Sequence, residues 1–343
     1  EEKGYTLKDT YTLGYSSDPK TWDYLATYRA ADSEAICNTI SGLIEYNSEN
    51  VMMPELATEW SVDETGTVYT FKIREGVKWV DSQGREIADL TAHDWVSGMQ
   101  HLLDVAGGLE YLAGSGYANI VGVDEYLSGD ITDFTQVGVK AVDDYTLQYT
   151  LTEPTPYFLT ILGYNPFSPL CRTYYESKGG KFGAELDTTA TDYTYGKTPD
   201  DIAYCGPYLV SNLTAENTIV FSANPSYWNA DNITMKTITW LFNDGEDALK
   251  AYNDAMAGIL DGAGLNASAM EAAKADGHFE SGLVYVSGTD TTSFGAFLNL
   301  NRTATANFND GTVVSPKSAD DELRSGVALK NVHFRTAVMQ ALD

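Results

Sequence analysis

The segment "TVYTFKIREGVKWV", residues 67–80, carries the clearest structural pattern in the chain. Over 69–73, aromatic and apolar residues alternate with polar ones, the two-residue period of a strand with one buried and one solvated face. Glu75-Gly76 is typical of a turn, and the alternation then resumes. The pattern predicts a hairpin over 68–80 that places its aromatic rings in a core and its basic side chains in solvent.

A helix is predicted directly after this hairpin. The motif TAHD, residues 91–94, lets Thr91 accept from the amide of Asp94 while the Asp94 carboxylate accepts from the amide of Thr91. Apolar residues follow at helical spacing over 95–103. Strand-like and helical segments alternate irregularly along the whole chain, which predicts an α/β or α+β protein with mixed sheets.

The bulk composition excludes several classes of protein. With 343 residues the chain is long enough for two or three domains, and a net charge of −28 repels a nucleic-acid backbone. No run of about 18 apolar residues occurs, so no membrane span is predicted. The start, EEKGYTLKDT, is not a signal peptide, so we expect any export signal or lipid anchor to lie upstream.

Local motifs give no support to catalysis or metal binding. The sequence lacks HExxH, P-loop and GxSxG motifs, and its three cysteines form no CxxC pair. His93 and His101 are spaced to share a helix face, but no third ligand accompanies them, so we expect solvated histidines. No cofactor, metal or catalytic residue is predicted. The 49 acidic residues leave a glycosidase pair open, because only distances in space define one.

The segments above, taken in order, resemble the solute-binding proteins of bacterial ABC importers, in the class that binds peptides or nickel. The resemblance is strongest over 69–79. Further segments carry it along the chain: 17–19 (SDP), 41–44 (SGLI), 54–60 (PELATEW), 91–96 (TAHDWV), 151–154 (LTEP), 157–158 (YF), 206–208 (GPY), 224–228 (NPSYW) and 335–337 (RTA). The resemblance implies a type II periplasmic-binding-protein fold, a two-lobed clamp that closes on its ligand.

The resemblance also implies a division of the chain. Residues 1–46 and 172–285 would form the core of lobe I, and 47–171 would form an extra small subdomain that includes the hairpin. Residues 286–343 would begin lobe II, most of which would lie beyond the chain, so we expect a truncated sequence. Two polar segments, 177–201 and 302–331, are predicted to be long surface loops.

The resemblance implies ligand contacts in the cleft between the lobes. Three groups of residues are candidates: the predicted ligand-facing strand Tyr28-Arg29-Ala30, then Tyr111, then Phe294 and Phe297 at the entry to lobe II. Each group has an alternative. Tyr111 and Phe297 could pack in a core, and Arg29 could be either a solvated charge or the partner of a ligand carboxylate.

The implied function is capture of oligopeptides or dipeptides outside the cell and delivery to membrane permease subunits by a monomeric, non-enzymatic binder. Its only membrane attachment would be an upstream lipid anchor. An oligosaccharide or nickel-chelate binder with the same fold is an alternative, and a secreted glycan-degrading enzyme is another.

Overall fold

The computed structural model describes residues 8–286, 295, 297–300 and 319–341, without the side chains of 319–323 and 325. The chain divides into two compact units, Glu1–Asp276 and Gly277–Asp343. This division lies close to the predicted start of lobe II at residue 286. All three predicted divisions, after residues 46, 171 and 285, stay predictions.

The first unit contains twelve strands and seven α-helices among its described residues. The strands are β1 (Thr10–Tyr15), β2 (Ile44–Tyr46), β3 (Met52–Pro54), β4 (Ala57–Val62), β5 (Val68–Ile73), β6 (Lys78–Val80), β7 (Glu86–Asp89), β8 (Val139–Asp143), β9 (Thr146–Thr150), β10 (Tyr208–Thr214), β11 (Thr218–Ala223) and β12 (Thr237–Phe242). The helices are α1 (Ala30–Ile36), α2 (Ala92–Val105), α3 (Val123–Ser128), α4 (Phe158–Ile161), α5 (Arg172–Ser177), α6 (Lys250–Met256) and α7 (Ala267–Ala275).

Two four-stranded sheets organise this unit. In one, the order is β1-β12-β11-β10, with β1 and β12 parallel and the other pairs antiparallel. In the other, the order is β4-β5-β9-β8 and every pair is antiparallel. One sheet is thus mixed and the other purely antiparallel, as the irregular sequence pattern predicted.

The predicted hairpin over 68–80 is wrong in its pairing, although both strands and the turn are present. Strand β5 lies between β4 and β9, so neither of its edges is free for β6. Strand β6 instead pairs with β7, and Asp81 and Gly84 form the turn between them. Tyr69, Phe71 and Trp79 are buried, so the predicted core role of these rings is confirmed.

The predicted capping box at the start of α2 is confirmed. The Thr91 amide donates to Oδ2 of Asp94 at 2.8 Å, and the indole Nε1 of Trp79 donates to the same oxygen at 3.1 Å. Burial raises the pKa of Asp94 from 3.8 to about 6, although these hydrogen bonds act in the opposite direction. The cap therefore joins β6 to α2 through a desolvated carboxyl group.

Three of the recognised segments meet in a second buried network. Oε1 of Glu55 accepts from the Tyr227 hydroxyl at 2.8 Å and from Nε1 of Trp228 at 3.1 Å. The Arg74 guanidinium lies 3.6 Å from the centre of a Trp228 ring and donates to the backbone carbonyl of Glu55. Arg74 therefore has a structural role. The strand pattern had predicted a solvated side chain, and that prediction is wrong at this position.

Other sequence expectations are corrected by long-range packing. His101 is fully buried and its Nε2 lies 2.8 Å from Oδ2 of Asp23, so the predicted solvated histidine is wrong at this position. Cys37, which its place beside Ile36 and Ile40 predicted to be buried, is exposed. Cys171 and Cys205 are buried, and all three are free thiols. The segment 177–201 forms mostly turns as predicted, yet it buries Tyr193 and is more than a surface loop.

In the described part of the second unit, two helices follow each other, α8 (Ala319–Lys330) and α9 (Val332–Gln340). Asn331 is the N-cap of helix α9, and its Oδ1 accepts from the His333 amide at 2.9 Å. The predicted loop over 302–331 is therefore helical from Ala319, and its earlier part lies outside the described residues. Within the described residues, no helix is both long and apolar enough to cross a bilayer.

A tyrosine-lined surface as the candidate ligand site

Two glycines bring the loop before Tyr111 against the backbone of residues 26–28. Gly108 has φ +113°, and a Cβ built there would lie 2.8 Å from Cδ1 of Tyr28. A Cβ at Gly107 would collide with the backbone of Ala26. Only glycine allows this approach, so these two positions place the Tyr111 loop beside the Tyr28 ring.

Tyr111 lies in a 3-10 helix, Glu110–Ala113, that continues this loop. The Glu110 carboxylate accepts from the Gly108 amide at 2.7 Å and so fixes the start of the helix. The Tyr111 ring packs edge-to-face against Tyr117, with centroids 5.0 Å apart and an interplanar angle of 75°. Packing against Tyr117 holds the Tyr111 ring but leaves much of it accessible.

A fourth tyrosine joins the group from the segment before α4. The Tyr157 hydroxyl donates to the Gly116 carbonyl at 3.5 Å, in the loop that carries Tyr117. Asn119 holds that loop, because it accepts from the Gly116 amide at 2.8 Å and donates to Oγ1 of Thr155 at 2.9 Å. These hydrogen bonds therefore fix Tyr157 and the loop that carries Tyr117 to each other.

We call these four residues the tyrosine surface, and their exposed fractions are 70% for Tyr28, 47% for Tyr111, 45% for Tyr117 and 46% for Tyr157. Each ring offers an apolar face and a hydroxyl group at its tip. Exposed aromatic groups of this kind mark surfaces that hold ligands through ring contacts and hydrogen bonds.

The predicted ligand-facing strand Tyr28-Arg29-Ala30 is wrong as secondary structure. Tyr28 and Arg29 belong to no strand, and Ala30 is the first residue of α1. The buried carboxylate of Asp32 accounts for this turn into the helix, because it accepts from the Thr27 hydroxyl at 2.7 Å and from Nη1 of Arg29 at 3.0 Å. Arg29 therefore already has an internal carboxylate partner, and a ligand carboxylate would have to compete with it.

The remaining predicted site residues lie elsewhere. Phe294 is outside the described residues. Phe297 belongs to the second unit, and its side chain is 95% exposed. The structure thus brings the loop before Tyr111 against Tyr28, and adds two residues, Tyr117 and Tyr157, that were not among the predicted site residues.

For Tyr117 the only sequence signal was the abundance of tyrosine, 23 residues in all, whereas Tyr157 lies in one of the segments that carry the resemblance. Composition alone does not say which rings are exposed. Among the described residues, no group of three or more His, Cys, Asp or Glu side chains converges in a way that would hold a metal ion.

The model of the bacterial extracellular solute-binding proteins, family 5, matches residues 51–343. The chain belongs to this family. It is 35% identical to the oligopeptide-binding protein AmiA of Streptococcus pneumoniae over 97% of this chain and 47% of that protein. It is 33% identical to SarA of Streptococcus gordonii, also an oligopeptide-binding protein, over 96% and 46% of the two chains.

Solved structures give the same assignment of the fold. The substrate-binding domain of an oligopeptide ABC transporter from Bacillus anthracis has a TM-score of 0.63 at 26% identity, over 74% of this chain and 45% of that one. The Haemophilus influenzae OppA complex with RPPGFSPFR has a TM-score of 0.66 at 24% identity, over 79% and 49%. The predicted mixed α/β, type II binding-protein fold class is therefore confirmed. The chain spans about half the length of the curated relatives it matches.

Proposed function

We propose that this chain is part of the substrate-binding component of an ABC importer that captures oligopeptides. The observation that carries the proposal is the family match over residues 51–343, together with relatives named oligopeptide-binding proteins at 33–35% identity. The tyrosine surface supports it, because its ring faces and hydroxyl groups suit ligands with varied side chains.

In this proposal the protein binds and releases its ligand without chemical change. A peptide lies extended, its backbone is held by hydrogen bonds, and the tyrosine surface contacts its side chains loosely, partly through water. The bound ligand stabilises a closed form that permease subunits recognise. The charge of −28 favours the approach of cationic peptides over anionic ones.

We propose that the protein acts outside the cytoplasm and as a monomer. Attachment to the membrane would depend on a lipid anchor upstream of the present sequence. Names of relatives such as the periplasmic oligopeptide-binding protein OppA of Salmonella typhimurium support this location.

The substitution Tyr111→Ala in the full-length protein tests the role of the tyrosine surface. We expect peptide affinity to fall roughly tenfold in isothermal titration calorimetry, because a central ring contact is lost. The melting temperature without ligand should change little, since the ring is nearly half exposed. Tyr11→Ala is the matched control, because Tyr11 lies on β1 with a similar exposure of 41% and outside the tyrosine surface.

Equal peptide affinity of the Tyr111→Ala variant and the unaltered protein would contradict this role. Oligosaccharide binding is the second candidate, since exposed tyrosine rings also pack against sugar rings. Titration of a linear oligosaccharide in the same experiment separates the two: saturable sugar binding without peptide binding would replace the peptide proposal. Hydrolysis of the sugar would favour the glycan-degrading enzyme.

A further inference from the structure

A pocket of about 270 Å³ lies within the first unit, and none of the four residues of the tyrosine surface lines it. Its walls come from the segment 20–26, from Val105 at the end of α2, and from the segment 188–197. Its volume is just below the range of pockets that hold drug-sized ligands. The pocket therefore fits a molecule much smaller than an oligopeptide.

The walls of the pocket are fixed by the backbone. The Trp22 amide donates to the Gly196 carbonyl at 2.7 Å, and the Thr21 hydroxyl donates to the same oxygen at 3.3 Å. Gly196 has φ +71°, and a Cβ there would lie 2.5 Å from Cβ of Asp23. The two wall segments are thus held together independently of any ligand, as in most preformed sites.

The acidic group of the pocket, Asp23, is bound by protein groups on both oxygens. Its Oδ2 lies 2.8 Å from Nε2 of buried His101, and its Oδ1 accepts from the Leu25 amide at 3.2 Å. Tyr175 and Tyr195 pack against the His101 ring, with centroids 4.6 and 5.8 Å away. Asp23 therefore has a protein partner on each oxygen, and its single carboxylate is outnumbered by the two lysines of the lining.

Two lysines give the pocket its positive charge. Lys20 and Lys197 both line it, and neither ammonium group makes an ion pair or hydrogen bond with another described residue. Lys178, which precedes the 188–197 wall, contrasts with them, because Asp201 holds its ammonium group at 2.8 Å. In a chain with 49 acidic and 21 basic residues, a pocket with two available ammonium groups favours an anion.

The lining also includes Thr21, Thr188 and Gly196, and its apolar or aromatic part comes from Ala26, Val105 and the rings of Tyr193 and Tyr195. We propose that this pocket binds a small organic anion, with its carboxylate between Lys20 and Lys197 and its apolar body against Val105 and Tyr193. The two lysines supply charge-assisted hydrogen bonds, and the fixed apolar wall limits the size of the body. None of the four residues of the tyrosine surface lines this pocket, so the inference does not rest on the proposed function.

Benzoate and inorganic phosphate are suitable probes, because the first has an apolar body and the second has none. Each would be titrated calorimetrically into the whole chain, into the double variant Lys20→Gln/Lys197→Gln and into Lys140→Gln. Lys140 is the matched control, an exposed lysine on β8 outside the pocket. We expect benzoate to bind once per chain and more tightly than phosphate, with a loss of roughly tenfold in the double variant and none in Lys140→Gln.

A second variant, Thr188→Trp, fills the pocket without removing charge, since Thr188 is an exposed lining residue. We expect it to abolish benzoate binding while its melting temperature stays close to that of the unaltered chain. Absence of benzoate binding to the unaltered chain at millimolar concentration would overturn the proposal. Equal affinity in the double variant, or tighter binding of phosphate than of benzoate, would also overturn it.

Discussion

At the scale of single residues, the most informative groups are buried carboxylates that hold separate segments together. Asp94 accepts from Thr91 and Trp79, and Glu55 accepts from Tyr227 and Trp228. The sequence predicted the first pairing with Thr91, because a capping box is local. It gave no sign of the Trp79, Tyr227 or Trp228 partners, because those contacts depend on which strands and loops meet in space.

Asp94→Asn should change how stability depends on pH. The pKa of Asp94 is raised to about 6 in the folded protein from an ordinary 3.8. Protonated Asp94 therefore stabilises the folded state fully below about pH 4, and this stabilisation is lost as the pH rises through 6. This loss amounts to about 3 kcal/mol. The asparagine variant, which does not titrate, should lack that part of the decline. Urea unfolding of both proteins across this range measures it.

Asp133→Asn provides a control of opposite sign, because hydrogen bonds from Thr135 lower the pKa of Asp133. Removing the Asp133 carboxylate should lower the free energy of unfolding at pH values above the normal pKa of an aspartate. This difference should vanish at lower pH, where Asp133 is protonated in the folded protein. A pH dependence that is identical in Asp94→Asn and in the unaltered protein would contradict the assignment of a raised pKa to Asp94.

Glu55 provides a second prediction at this scale. Glu55→Leu leaves the Tyr227 hydroxyl and the Trp228 indole without their buried acceptor, and we expect a loss of about 2–5 kcal/mol in the free energy of unfolding. Glu55→Gln keeps an acceptor oxygen at the same place and should cost much less. Equal losses for the two variants, measured by urea unfolding, would show that the hydrogen bonds are not the cause.

At the scale of elements, local periodicity predicted the strands but not their partners. The alternation over 69–73 fixes which face of β5 is buried, yet the neighbour β9 lies more than 70 residues further along the chain. Register with a distant strand leaves no local mark in the sequence. The same reason explains His101, which we expected to be solvated because no third metal ligand accompanies it. It is buried, and its partner Asp23 lies 78 residues earlier in the chain.

Gly108→Ala tests how the loop before Tyr111 is positioned. The new methyl group would meet the Tyr28 ring, and φ +113° is unfavourable for alanine, so we expect a loss of about 1–3 kcal/mol together with weaker ligand binding. Gly76→Ala is the matched control, since Gly76 lies outside the tyrosine surface and has φ +78° but open space around its Cβ position. Both variants would be compared by thermal unfolding and ligand titration. Equal losses in the two would contradict this account of how the loop is positioned.

At the scale of the whole molecule, the recognised segments predicted the family and its type II fold class, because motif order and spacing survive where pairwise contacts cannot be deduced. They did not predict the tyrosine surface in full. Tyr117 packs on Tyr111, and Tyr157 bonds to the loop that carries Tyr117, and both contacts depend on how loops meet in space. The chain spans about half the length of its curated relatives.

Native mass spectrometry of the full-length protein, mixed with a pool of random oligopeptides, tests the central claim most directly. The account predicts complexes with one intact peptide per protein, enriched in cationic peptides and reduced by Tyr111→Ala. Protein that retains no peptide from the pool, or that returns the peptides cleaved, would contradict it.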